Sequence, residues 1–86
     1  MINGKENPVE WPVMLMELEE VKEHLDSLVD QMHAADMIDE EDFRVQIFHA
    51  ISHLNRLWNA RCYVGEIDQE LHDDFSKTPI DFKPIG

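Results

Sequence analysis

ADMIDEEDF, residues 35–43, decides the fold, because it separates two long helical patterns and carries the signals that start the second. Asp39 is a typical N-cap residue, and Asp42 lies at the third helical position, as in a variant of the capping box. Ile38 can pack against Phe43 across the cap as a hydrophobic staple. The stretch therefore predicts that a second helix begins at Asp39.

The segments on either side of this turn both have the apolar period of a helix. In the first, apolar residues recur with alternating steps of four and three, which is typical of a coiled-coil-like seam. The second pattern runs to Val64, where Gly65 is expected to end the helix in a left-handed conformation. We predict helices over 11–36 and 39–64. Because only residues 36–38 separate them, they must fold back as a long antiparallel hairpin. The seam residues of the first helix are Met14, Leu18, Val21, Leu25, Leu28, Met32 and Ala35.

The two ends of the chain are assigned to shorter elements. Residues 1–10 are predicted to form an N-terminal arm and residues 67–76 a short third helix. Residues 77–86 contain two prolines and are predicted to form an extended C-terminal tail that can pack across the bundle. No repeat or linker divides the chain, so we predict one all-α domain over residues 1–86.

The apolar arc of the second helix is too wide for one partner helix, because it covers nearly half of the helical wheel. A chain of 86 residues with a single cysteine also has a small core and no internal disulfide. We expect two hairpins to dimerise into a four-helix bundle, with the second helix more central. The alternative is a monomer in which the third helix and the tail cover the arc. The predicted interface residues are Phe43, Ile47, Phe48, Ile51, Leu54, Leu57, Trp58 and Arg61.

The charge of the chain is negative and unevenly distributed. The formal net charge of −12 argues against binding a nucleic-acid phosphate backbone and favours basic protein partners. Residues 10–42 contain twelve acids and only Lys22 as a base, whereas residues 43–65 contain three arginines and no acid. Like charges disfavour pairing of the first helix with its own copy, so we expect the second helix to pair with the second helix. Reversing the charges of Arg56 and Arg61 together is then expected to weaken assembly.

A possible metal site is indicated by His49 and His53, which lie one helical turn apart, the spacing of an i, i+4 chelate. A zinc site needs three or four ligands, and residues 43–65 supply no acid and no second cysteine. Arg56 would also repel a cation. Any further ligand must come from another element or another chain. The wheel places both histidines opposite the apolar arc, so a solvated pair is the expected state and no cofactor is predicted.

No motif in the sequence forces a chemistry: it has neither a nucleophile elbow nor a glycine-rich phosphate loop, and we do not expect an enzyme. No apolar run is long enough for a membrane span, so we expect a cytoplasmic protein. The function predicted is protein–protein interaction in a regulatory or adaptor role. One alternative is a polyanion-mimicking inhibitor or antitoxin that binds a basic, nucleic-acid-binding protein. Another is a metal-binding protein that uses His49 and His53.

Overall fold

A computed structural model describes residues 1–86 as three helices without a strand. Helix α1 spans Glu10–Ala35, α2 spans Glu40–Asn59 and α3 spans Gln69–Phe75. The first two helices pack against each other, and α3 packs against α2. Because residues at the start of α1 contact the end of α2 and those at its end contact the start of α2, the pair is antiparallel. The all-helical hairpin is confirmed.

The turn between α1 and α2 has the N-cap that the sequence predicts. The side chain of Asp39 accepts a hydrogen bond of 3.3 Å from the backbone N–H of Asp42. The carboxylate of Asp42 is engaged elsewhere, with glutamine side chains. On the other side of the turn, Asp36 ends α1 with a φ of 54°, in the left-handed region. The acid therefore occupies a position where glycine is usually found.

The end of α2 differs from the prediction. The helix ends at Asn59 rather than near Val64, and the residues that follow form turns in which the carbonyl of Arg61 accepts from the N–H of Ile2. The side-chain amide of Asn59 donates to the carbonyls of Phe75 and Lys77, at 2.8 and 2.9 Å. Gly65 has a positive φ of 125°, but it lies in the connection to α3. Its predicted role in ending α2 was wrong.

The N-terminal arm is docked at the open end of the hairpin. Ile2 is buried, and its N–H donates to the carbonyl of Arg61 at 2.8 Å. Gly4 lies against Trp11, where an added Cβ would come within 3.0 Å of the indole Cδ1. The side chain of Asn3 accepts hydrogen bonds from the two backbone N–H groups of residues 5 and 6. The arm thus closes one end of the hairpin, where it covers the last turn of α2.

The core is thin. Only five residues are buried, and one of them is a histidine. The radius of gyration is 15.0 Å, compared with about 12 Å for a compact chain of this length. The apolar residues of α1 divide between two sides, since Val21 and Leu28 are buried while Leu18 and Leu25 remain exposed. The buried residues are Ile2, Val21, Leu28, Ala50 and His53.

The C-terminal tail does not pack across the hairpin. Ile80 and Ile85 are fully exposed, and Phe82 is largely so. The tail's polar contacts with α2 are the bond from Asn59 to the carbonyl of Lys77 and a bond of 3.4 Å from the indole N–H of Trp58 to Asp81. None of the three helices combines the length and the apolar content that crossing a membrane requires.

Candidate functional site

Polar side chains cross between α1 and α2 along one flank of the hairpin. On α1 they are Glu17, His24 and Gln31, which are seven residues apart and so lie in one row along the helix. Each of these three residues contacts polar groups of α2, and the contacts form three levels along the hairpin. We define the polar seam as Glu17, His24, Gln31, Asp42, Gln46, His49, His53 and Arg56.

The level nearest the turn is an amide–carboxylate network. Gln31 donates to Asp42 at 3.0 Å, and Gln46 donates both to Asp42, at 3.2 Å, and to the side-chain oxygen of Gln31, at 2.9 Å. The hydrogen bond from Gln31, followed by that from Gln46, lowers the pKa of Asp42 below its ordinary value. The level therefore keeps one acid of the turn ionised and bound to both helices.

The middle level brings three histidines together, and we call His24, His49 and His53 the histidine cluster. The ring nitrogens they offer all lie within 4.8 Å of one another. The two Nε2 atoms of His49 and His53 are 2.8 Å apart, and the ring centroids of His24 and His49 are 4.5 Å apart. His53 is buried, whereas the other two rings are at the surface. The cluster is thus accessible from one side.

The surroundings of His49 favour the neutral form of its ring. Desolvation is the largest cause that lowers the pKa of His49, followed by the positive charges that His24, His53 and Arg56 carry or can carry. Glu20 acts in the opposite direction. A neutral imidazole has a free nitrogen lone pair, which is the form that a metal ion or a proton donor requires.

The third level is centred on one carboxylate oxygen. Oε1 of Glu17 lies 2.5 Å from Nδ1 of His53 and accepts a hydrogen bond of 2.7 Å from Nε of Arg56. A second nitrogen of Arg56 donates to the hydroxyl of Ser76 at 2.8 Å, which ties the residue after α3 to the seam. The exposed fractions of the side chains of His53, Arg56 and Glu17 are 5, 14 and 20%. The ion pair is therefore largely sheltered from solvent.

The tautomer of His53 follows from this contact. A carboxylate oxygen can approach a ring nitrogen to 2.5 Å only when a proton lies between them, so Nδ1 of His53 carries the proton. A nitrogen of Arg56 also lies 3.0 Å from this Nδ1, but both groups are donors and both are bound to Glu17. The Nε2 atom of His53 is left with its lone pair directed at His49.

The structure corrects the predicted position of the histidine pair. His53 was assigned to the solvated side of α2, but it is only 4% exposed and contacts α1. The buried centre of α2 is Ala50 rather than the middle of the apolar arc, so the flank that carries His49 and His53 faces the partner helix. His24 and Glu17 were missed as partners. Their signal is the seven-residue row that they form with Gln31.

An open apolar surface lies on the flank opposite the polar seam. Successive helical residues are 100° apart, so Leu18 and Leu25 lie on the other side of Val21 from Glu17. The same geometry applies to α2 around Ala50. Since the polar flanks of both helices meet, their apolar flanks lie side by side. We define the outer apolar face as Leu18, Leu25, Val29, Met32, Phe43, Ile47, Ile51, Leu54 and Trp58.

Three residues of the predicted interface lie beside this face rather than on it. Leu57 is half-buried and lines a groove at the open end of the hairpin. The ring of Phe48 lies at the rim with the guanidinium of Arg44 5.5 Å above it. The guanidinium of Arg61 lies 3.7 Å from the ring of Trp58. The other five predicted residues belong to the outer apolar face.

The groove at the open end of the hairpin has a volume of about 640 Å³. Its walls come from the N-terminal arm, both long helices and the α3 region. Glu17 and Arg56 of the polar seam also line it. The largest apolar side chains in its walls are Ile2, Met14, Leu57, Tyr63, Ile67 and Phe75.

The sequence matches no known protein family, and comparison with curated proteins and with solved structures finds no significant match.

Proposed function

We propose that the protein acts through protein–protein interaction, and that its first partner is a second copy of itself. In this proposal two hairpins pair through their outer apolar faces and form a four-helix bundle. The observation that carries the proposal is that the apolar side chains of this face are exposed in a single hairpin. Eight of its nine side chains are 37–51% exposed, and all nine lie on one flank.

Burial of this face supplies a driving force of the right size. Covering the exposed half of one Leu, Ile or Phe side chain is worth roughly 1 kcal/mol. Two hairpins would contribute sixteen such side chains, which together match the cost of association, about 4–15 kcal/mol. A single hairpin leaves this surface in water, where patches of such extent usually mark an interaction site.

A second copy fits the face better than the chain's own end segments do. The contacts of α3 lie on another flank, where Asn55 and Arg56 bond to Ser76. The tail leaves its own apolar residues exposed. A two-fold axis would place the same face on both partners, so apolar residues would meet apolar residues without further requirements. Helix α2, which contains Arg44 and Arg56, would then be central and the acidic α1 outside.

The role of charge in this assembly rests on Arg61 rather than on Arg56. Arg56 is bound to Glu17 of its own chain and lies on the polar flank, so reversing it would disturb the hairpin itself. Arg61 lies at the edge of the outer apolar face, over Trp58. A charge-reversal test of assembly should therefore use Arg61 alone.

Once the apolar faces are paired, the surface left for another partner is the acidic outer side of α1. Glu19, Glu23, Asp26 and Asp30 lie there, away from α2. Such a surface suits a basic protein partner, whose binding would weaken as salt rises. This is the adaptor or regulatory role that we propose for the dimer.

The experiment compares two substitutions that lie on opposite sides of α2. Leu54 lies on the outer apolar face, and Val45 lies nine residues earlier, about 180° away around the helix. The two side chains have similar exposed fractions, 46 and 53%. We expect light scattering on a sizing column to show a dimer for the native chain and for Val45→Glu, and a monomer for Leu54→Glu.

Three outcomes would contradict the proposal. They are a monomeric native chain at high protein concentration, a dimer that survives Leu54→Glu, and a dimer that is lost equally in both variants. Repeating the measurement at high salt tests the cause, because an apolar interface persists there while a purely electrostatic one weakens.

A further inference from the structure

We propose that the histidine cluster is a binding site for a divalent transition-metal ion, with His24 of α1 and His49 and His53 of α2 as ligands. The inference is independent of the dimer, because all three ligands belong to one chain. It also differs from a simple i, i+4 chelate, since the third ligand comes from the other helix.

The geometry of the cluster is close to that of a three-histidine centre. Nitrogen ligands at 2.0–2.1 Å from a tetrahedral ion are about 3.3 Å from one another. The Nε2 atoms of His49 and His53 are 2.8 Å apart, and all three ligand atoms lie within 4.8 Å. Small rotations of the two exposed rings, His24 and His49, bring the atoms to coordination distance. The buried ring of His53 provides the fixed point.

Glu17 supplies the second observation that points to a metal. Ligating histidines almost always donate their other N–H to a carboxylate or a carbonyl, which sets the tautomer and raises the basicity of the ligand. His53 makes this contact with Glu17, and Arg56 in turn holds Glu17 in place. The Nε2 lone pair of His53 is therefore directed toward His49, a second ligand of the proposed site, before any ion arrives.

The local charge also suits a cation. The positive charge of Arg56 is opposed by Glu17, to which it is bound. Glu20 adds a second carboxylate, with an oxygen 3.7 Å from Nδ1 of His53 and a side chain 47% exposed. The two carboxylates and the one guanidinium together place a net negative charge beside the cluster. The fourth position is open to water, because His24 and His49 lie at the surface.

The ligand set selects the class of ion. Three imidazole nitrogens suit Zn²⁺ and its neighbours Co²⁺, Ni²⁺ and Cu²⁺, whereas Mg²⁺ and Ca²⁺ prefer oxygen ligands. The site is a helix-crossing one, so a bound ion would link α1 to α2. We therefore expect Zn²⁺ to raise the thermal midpoint of unfolding as well as to bind.

The test is a titration of the purified, chelator-treated protein with Zn²⁺ by calorimetry, with Co²⁺ as a spectroscopic probe of tetrahedral coordination. We expect one ion per chain and a visible Co²⁺ absorption. His24→Ala should lower the affinity by more than about 100-fold, because it removes a direct ligand. Loss of a residue that only hydrogen-bonds to a ligand already costs roughly 10–100-fold. His33→Ala, which alters an exposed histidine of the same helix outside the cluster, is the matched control.

Two further variants guard against misfolding as an explanation. His49→Gln changes a surface ring and should abolish the tetrahedral Co²⁺ spectrum with unchanged helical circular dichroism. Glu17→Gln should retain the spectrum but weaken binding about 10–100-fold. Leu54→Glu should bind Zn²⁺ as the native chain does, whatever its oligomeric state.

The proposal is overturned if the native chain binds no ion at one equivalent. It is also overturned if His24→Ala binds as tightly as the native chain, because the pair on α2 would then act alone. Equal losses in His24→Ala and His33→Ala would identify unspecific binding and reject the site.

Discussion

At the scale of single residues, Glu17 is the side chain through which α1 binds the end of α2. One of its oxygens contacts His53 and Arg56, and Arg56 continues the connection to Ser76. These groups are largely buried, so their partners cannot be replaced freely by water. The stability of the hairpin therefore depends on Glu17, which is largely buried although glutamate is usually an exposed residue.

Removal of this carboxylate should destabilise the protein. We expect Glu17→Ala to lower the free energy of unfolding by about 1–3 kcal/mol, because a buried imidazole and a guanidinium lose their acceptor. Urea unfolding followed by circular dichroism measures the change. Glu19→Ala, on the exposed side of the same helix, should stay within about 0.5 kcal/mol. Equal effects of the two substitutions would contradict the role assigned to Glu17.

The stability of the protein should also depend on pH through His49. Burial, the neighbouring His24 and His53, and Arg56 lower the pKa of His49 in the folded chain, while Glu20 opposes them. The unfolded chain, with a value of 6.5 for this group, therefore binds a proton at higher pH than the folded chain does. The free energy of unfolding should fall as the pH drops through 6.5, and this loss is complete below the folded pKa.

Urea unfolding at a series of pH values above the range of the carboxylates measures this dependence. His49→Gln should flatten it, because the titrating ring is gone. His33→Gln should leave it unchanged, since that ring lies outside the cluster. A pH dependence that survives in His49→Gln would assign the effect to other histidines.

At the scale of elements, the turn between α1 and α2 contains a residue under strain. Asp36 has a φ of 54° and a negative charge at the C-terminal end of α1, and both features are unfavourable. We expect Asp36→Gly to raise the free energy of unfolding by up to about 1 kcal/mol. Thermal or urea unfolding measures the gain.

Asp36→Asn separates the two causes, because asparagine removes the charge and keeps a side chain that tolerates this conformation. A gain in the glycine variant alone would assign the cost to backbone conformation. An equal gain in both would assign it to charge. If neither variant has a higher free energy of unfolding than the native chain, the proposed strain at Asp36 is contradicted.

The same turn shows what the sequence can predict at this scale. The N-cap at Asp39 and the position of the hairpin turn depend on contacts within a few residues, and both were predicted. At the end of α2 the chain meets distant partners: the side chain of Asn59 bonds to the carbonyls of residues 75 and 77, and the carbonyl of Arg61 accepts from Ile2. Local patterns carry no information about such partners, so the predicted end was wrong.

At the scale of the whole molecule, the unexpected feature is which side of each helix faces the other. An apolar stripe normally marks the buried side, and this rule placed His53 in solvent. In the structure the contact is shifted toward the polar row, with Val21 and Ala50 at its centre. The row through Glu17 and His24 is visible in the sequence, but its partners on α2 become clear only when the two helices are aligned.

The spacing of the polar seam also fixes the alignment of the helices. Sliding α2 by one turn would break the contacts of Glu17, His24 and Gln31 together, whereas the leucines and isoleucines of the outer apolar face impose no comparable restriction. The polar seam fixes the alignment of the two helices, and in our proposal the outer apolar face determines which partner binds. Substitutions on the outer apolar face can therefore change the binding partner over evolution without changing the alignment of α1 and α2.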